Sequence, residues 1–146
     1  MPEEITGAGR PRLVGVDYGT RRVGLALADP LRLFAQPYGA YAPDEALRVL
    51  QALRTEEGIE TVVVGWPLTL EGKEGEATRR VQAYIRRLRK ALPGTRIVRR
   101  DERFTSEMAK DAIRIYGVRR SGHPKDDKSR VDAAAAALIL QDYLDG

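Results

Sequence analysis

The sequence predicts an α/β domain: a five-stranded mixed sheet, a three-strand meander followed by parallel strands, with helices on both faces. Three observations carry this. Residues 12–41 hold three short apolar runs separated by Gly, Asp and Pro turns, the signature of strands joined by tight connections. From Asp44 onward the apolar spacing changes to a helical period, and helical stretches alternate with short strand-like runs. The run Thr61-Val62-Val63-Val64-Gly65 is continuously β-branched rather than alternating, as in a strand covered on both sides.

Taken in order, residues 1–10 read as a flexible arm and 11–146 as a single domain. The first strand runs from Arg12 to Asp17 and turns at Tyr18-Gly19-Thr20-Arg21. Arg22 to Ala28 is its antiparallel return, closed by Asp29-Pro30. Leu33 to Tyr41 is a third strand, placed at the edge because Pro37 cannot donate to a ladder on both sides. Asp44 to Glu57 is a helix with Ala46, Leu47, Leu50 and Leu53 on one face, stopped by Gly58. After the Thr61–Gly65 strand, Trp66 to Gly75 is a loop. Glu76 to Leu92 is a helix with Ala77, Val81, Tyr84, Ile85 and Leu88 inward and its arginines outward, ended by Pro93-Gly94. Arg96 to Arg100 is the last strand. A helix capped by Thr105 or Ser106 runs to about Tyr116, a basic Gly- and Pro-punctuated loop spans Gly117 to Arg130, and a final helix covers Val131 to Leu144. Ala133 to Leu140 is apolar all round, which requires burial. Strands one, four and five run parallel through right-handed crossovers.

Composition narrows the chemistry. The chain has no cysteine, which excludes disulfides, thiol nucleophiles and cysteine-bound zinc and suits a reducing cytoplasm. One histidine, His123, cannot build an imidazole metal site. No apolar run reaches the roughly 20 residues that span a bilayer. Basic residues outnumber acidic ones 25 to 21, and arginine clusters at Arg79-Arg80, Arg86-Arg87-Arg89, Arg99-Arg100-Arg103 and Arg119-Arg120. Each cluster alone reads as a solvated face; together they fit a polyanionic partner, because guanidinium groups contact phosphate in bidentate fashion.

Three acids stand at structural edges. Asp17 ends the first strand, Glu102 follows the fifth, and Asp132 falls in the first turn of the last helix, where the dipole favours an anion. If the first and last strands are neighbours, Asp17 and Glu102 leave the sheet on one side, at the carboxyl ends where open α/β sheets place ligands. A carboxylate at the mouth of a core strand is costly without a partner. An all-oxygen set suits one or two Mg²⁺ or Mn²⁺ ions, and two such ions about 4 Å apart serve phosphodiester hydrolysis. Each acid also has a plainer reading: Asp17 as a turn residue, Glu102 as an ion-pair partner of Arg99 or Arg103, Asp132 as a helix-start charge. Arg21, Lys73, Arg103, Lys128 and Arg130 are the phosphate-contact candidates, and Trp66-Pro67 to Gly75 reads as a flap. Tyr18 reads as a base-stacking, site-covering or packing residue, and Asp126 and Asp127 as a further ligand or as local charge balance.

Four stretches, VGVDYGTRRVGLALAD, VVVGWPLTLEGKEG, RDERFTSEMA and KSRVDAAAAALILQDYL, resemble in order and spacing the signatures of the YqgF/RuvX family, described as Holliday junction resolvases and pre-16S rRNA nucleases. The resemblance covers nearly the whole chain after the arm. It implies an RNase H-like fold and a cytoplasmic nuclease. The implied reaction is metal-dependent cleavage of structured nucleic acid, branched DNA or precursor rRNA, with Asp17, Glu102 and Asp132 as the catalytic acids. Gly65-Trp66-Pro67 matches the family's Gly-x-Pro loop. Ser129 stands where related resolvases carry a fourth acid, which implies a weaker second ion. Two-fold junctions suit a homodimer. Two other readings remain open: a nucleic-acid-binding module without turnover, and a nucleotide binder, since Asp-x-Gly-Thr also resembles the first phosphate loop of actin-like ATPases and sugar kinases.

Overall fold

A computed structural model describes residues 10–102, 114–115 and 124–146, with the backbone alone for 124–127. The meander forms as expected: β1 (Arg12–Tyr18), β2 (Val23–Ala28) and β3 (Ala35–Tyr41), each antiparallel to the one before. Helix α1 (Pro43–Glu56) leads to β4 (Ile59–Trp66), and α2 (Glu76–Ala91) leads to β5 (Arg96–Asp101). The final helix, α3, is Pro124–Leu144. Strand order is β3-β2-β1-β4-β5, with β1, β4 and β5 parallel. The edge strand β3 carries Pro37 beside an irregularity in its pairing, which accommodates the missing donor.

Alternation along each strand divides the core into two layers. Val14, Val16, Val62, Val64 and Trp66 face α1 and α2, where Leu50, Leu53, Val81, Tyr84, Ile85 and Leu88 meet them. Leu13, Ala26, Ala28 and Val63 face α3, against Ala136, Ala137, Ile139 and Leu140. Small residues dominate this second layer, so the helix lies close to the sheet. A Cβ on Gly15 would stand 2.6 Å from the Ala136 carbonyl oxygen and 2.8 Å from the Leu140 Cβ. This close approach is why Ala133 to Leu140 is almost entirely buried, as its composition requires.

Four expectations need correction. The last helix begins at Pro124, so residues 124–130 are helical and not loop. Proline suits a first helical position, and polar character alone does not distinguish an exposed helical extension from a loop. Asp132 therefore lies about two turns inside α3, beyond the reach of the terminal dipole. The first and last strands are not neighbours, because β4 lies between them. Ala77 is exposed and Thr78 takes the buried place, its hydroxyl donating to the Gly75 carbonyl at 2.7 Å and accepting from the Gly75 amide at 2.9 Å. Of the predicted helix from Thr105 to Tyr116, Arg114 and Ile115 are described, and both are helical. Residues 1–9 of the arm, Arg103, Arg119-Arg120 and His123 lie outside the described residues.

Candidate active site

Asp17 and Glu102 meet across the end of β4, although their strands are not adjacent. Gly65 makes this possible. It sits on the α3 face of β4, and any Cβ there would fall on the Glu102 carboxylate. Glu102 is anchored by its amide, which donates to the Trp66 carbonyl at 2.9 Å as the last rung beyond the β4–β5 pairing. The residue is 3 % exposed, and its Oε1 has no hydrogen-bond partner.

A second glycine brings the third acid towards the same edge. Gly24 pairs with Asp17 across β1 and β2, and its missing side chain leaves room for the α3 backbone at Asp132 and Ala133. Asp132 accepts a hydrogen bond from Arg22 Nε at 3.0 Å, a half-buried ion pair. The field of Asp132 is felt at Asp17. Among the described residues, no three acidic or imidazole groups already converge as a metal cluster, because Asp17 pairs with Glu102 while Asp132 is held by Arg22.

The electrostatics are those of two acids forced together out of water. Burial pushes the Asp17 carboxyl up to about 7; its hydrogen bond with Glu102 lowers it, and the nearby Asp132 raises it. Burial pushes Glu102 up to about 10, with the charge of Asp17 and their shared hydrogen bond adding to the rise. Asp17 and Glu102 therefore share a proton near neutrality. An oxygen-only donor set, one buried oxygen without a partner and two carboxyls that resist ionisation together are what a divalent cation would relieve.

Among the described residues, one cavity reaches Asp17 and another reaches Asp132. One, of about 220 Å³, is lined by Asp17, Tyr18, Gly19, Thr20, Pro67, Ala77, Arg80, Val81 and Glu102. The other, of about 390 Å³, is lined by Arg22, Lys128, Val131 and Asp132. Lys128 thus stands beside Asp132, as its spacing suggests. Arg21, Lys73 and Arg130 are exposed and line neither cavity. The flap reading gains detail: Thr69 and Lys73 are tied by two hydrogen bonds of 2.9 and 3.0 Å, and Gly72 turns with a φ of 80°. Trp66, at its root, packs under the Arg99 guanidinium, 4.2 Å from the ring centre. The sequence placed Arg80 only within the Arg79-Arg80 cluster, and did not single out Arg22 or the spacing role of Gly24 and Gly65. The signal was the occurrence of both glycines in strands, where glycine marks a close approach.

The sequence model of the RuvX family, described as Holliday junction resolvase, matches residues 11–146. A protein of Salinibacter ruber named "Putative pre-16S rRNA nuclease" is 62% identical over 133 residues, 91% of this chain and 92% of that relative. One of the same name from Chlorobaculum tepidum is 42% identical over 141 residues, 97% of this chain and 98% of the relative. The Thermus thermophilus RuvC structure superposes with a TM-score of 0.54 at 17% identity, covering 91% of this chain and 93% of that one. The chain belongs to the RuvX family, nuclease hydrolases, and carries the RNase H-like fold.

Proposed function

We propose that this protein is a divalent-metal-dependent endonuclease acting on structured nucleic acid, a four-way DNA junction or the 5′ end of precursor 16S rRNA. The observation that carries the metal chemistry is the buried Asp17–Glu102 pair, two carboxyls with raised proton affinity and an unpartnered Glu102 oxygen. Asp17, Glu102 and Asp132 would hold Mg²⁺ or Mn²⁺. When bound, the ion supplies an activated water and a counter-charge for the phosphate undergoing displacement. To hold the ion, Asp17 and Glu102 would give up their shared proton and Asp132 would part from Arg22, leaving that guanidinium, just before β2, to face the phosphate. Arg21, Lys73, Arg103, Lys128 and Arg130 contact the flanking backbone, giving affinity without sequence readout.

The reading without turnover draws on one observation, the Arg22–Asp132 ion pair, which engages the third acid. Both readings face one experiment. Wild type and Asp17→Asn are incubated in Mn²⁺ or Mg²⁺ with a labelled four-way junction and with a precursor rRNA fragment spanning the mature end. Cleavage of either substrate by the wild type alone supports the nuclease and names the substrate. Tight binding by both proteins with no cleavage supports the binding module.

A further inference from the structure

We infer that the cavity beside the acids is a subsite for one unstacked nucleotide of the substrate strand, next to the phosphate that is cut. This rests on the nuclease reading above. The cavity sits at the carboxyl edge of the sheet, between the β1–β2 turn, the root of the flap and the start of α2. Asp17 and Glu102 both line it, so a nucleotide lodged in it has its own phosphate at the acids. Tyr18, Pro67, Ala77 and Val81 give it a mostly apolar lining, which Gly19, Thr20 and Arg80 complete.

Size and rigidity select the occupant. A volume of about 220 Å³ is below the roughly 300–1,000 Å³ of pockets that enclose whole cofactor-sized ligands. It admits one planar heterocycle, and neither a stacked pair nor a nucleoside triphosphate. Tyr18 is backed by Tyr84, with ring centres 4.7 Å apart and planes at 37°. Tyr84 is itself fixed: its hydroxyl donates to the Pro43 carbonyl at 2.9 Å, and the Arg87 guanidinium lies 5.6 Å over its ring. The platform is therefore set before any base arrives, which removes an ordering cost from binding. At the rim, Arg80 has a half-exposed side chain and touches Glu76 at 3.5 Å, an exposed pair that a phosphate can displace. An apolar slot with a fixed aromatic wall and an arginine at its mouth is the chemistry that holds a base out of its stack. Junctions and processed RNA ends offer such bases at little cost, because their stacking is already broken.

The test uses the full chain in Ca²⁺ and three fluorescein-labelled duplexes, read by anisotropy. One is fully paired, one carries a single unpaired adenosine, and one has an abasic site at that position. The wild type is expected to bind the unpaired adenosine about 5- to 150-fold more tightly than the abasic duplex. Tyr18→Phe keeps that preference. Tyr18→Leu loses it, as does Ala77→Trp, which closes the mouth from an exposed helical position. Equal binding of the unpaired and abasic duplexes by the wild type overturns the subsite and leaves the nuclease reading intact. A preference that survives both Tyr18→Leu and Ala77→Trp overturns it as well, as does displacement of the duplex by millimolar ATP. No binding to any duplex overturns the nuclease reading along with it.

Discussion

The chemistry of this protein is set by what a few residues lack as much as by what they carry. Asp17 was legible from sequence because a core strand that ends in an acid demands a partner. Its meeting with Glu102 at one sheet edge was expected as well, but between neighbouring strands; the way it happens, across β4 and through the empty space over Gly65, was not legible. Two predictions follow at this scale. Asp17→Asn removes one of two buried carboxyls that resist ionising together and leaves an amide that can donate to Glu102. Metal-free Asp17→Asn is expected to melt higher than metal-free wild type, by on the order of 1 kcal/mol or about 3 °C. It loses the rise that Mn²⁺ gives the wild type; differential scanning fluorimetry reads both. Gly65→Ala places a methyl where the Glu102 carboxylate lies and 2.8 Å from the Ile139 Cδ1. Displacement of a catalytic group by about 1 Å costs roughly 100-fold, so cleavage is expected to fall by about that factor while nucleic-acid binding stays close to wild type.

At the scale of elements, periodicity was a good guide where burial decides structure. The five strands, both surface helices and the buried core of α3 lie where alternating or helical spacing places them. It was a poor guide where polar residues continue a helix past the body of the sheet, as residues 124–130 do. The rule that glycine weakens strands also needs its converse here. Gly15 admits α3, and Gly15→Ala is expected to cost about 1–3 kcal/mol by overpacking against the Ala136 carbonyl and Leu140, measured by urea unfolding. The β2–β3 turn has its own electrostatic tie. Asp29 accepts from the amides of Leu31, Leu33 and Phe34, and these bonds hold its carboxyl below the usual 3.8. A depressed acid stabilises the fold above its unfolded value and ceases to as pH falls through its folded value. Asp29→Ala is therefore expected to melt below wild type at pH 7, with the gap closing below pH 3.8.

For the whole molecule, many arginines prove to tie elements together. Arg12 bonds Glu57, Arg32 bonds Glu60, Arg87 bonds Asp44 and Arg100 bonds Asp142. Sequence clusters thus overstate the surface left for a polyanion, and the argument for nucleic acid rests more on position beside the acids than on abundance. Lys128 has that position. Lys128→Gln is expected to weaken binding uniformly across sequences and to lower the slope of log K against log salt by about 1. Homodimerisation, proposed from the two-fold symmetry of a junction, is read from the solution mass at micromolar concentration. The central claim is that Asp17 and Glu102 are held together, against their charge, to take a divalent ion. Calorimetric titration of Mn²⁺ into wild type, Asp17→Asn and Glu102→Gln tests it most directly. Saturable binding by the wild type that both variants lose is the predicted result; equal affinity in all three, or none in the wild type, would contradict it.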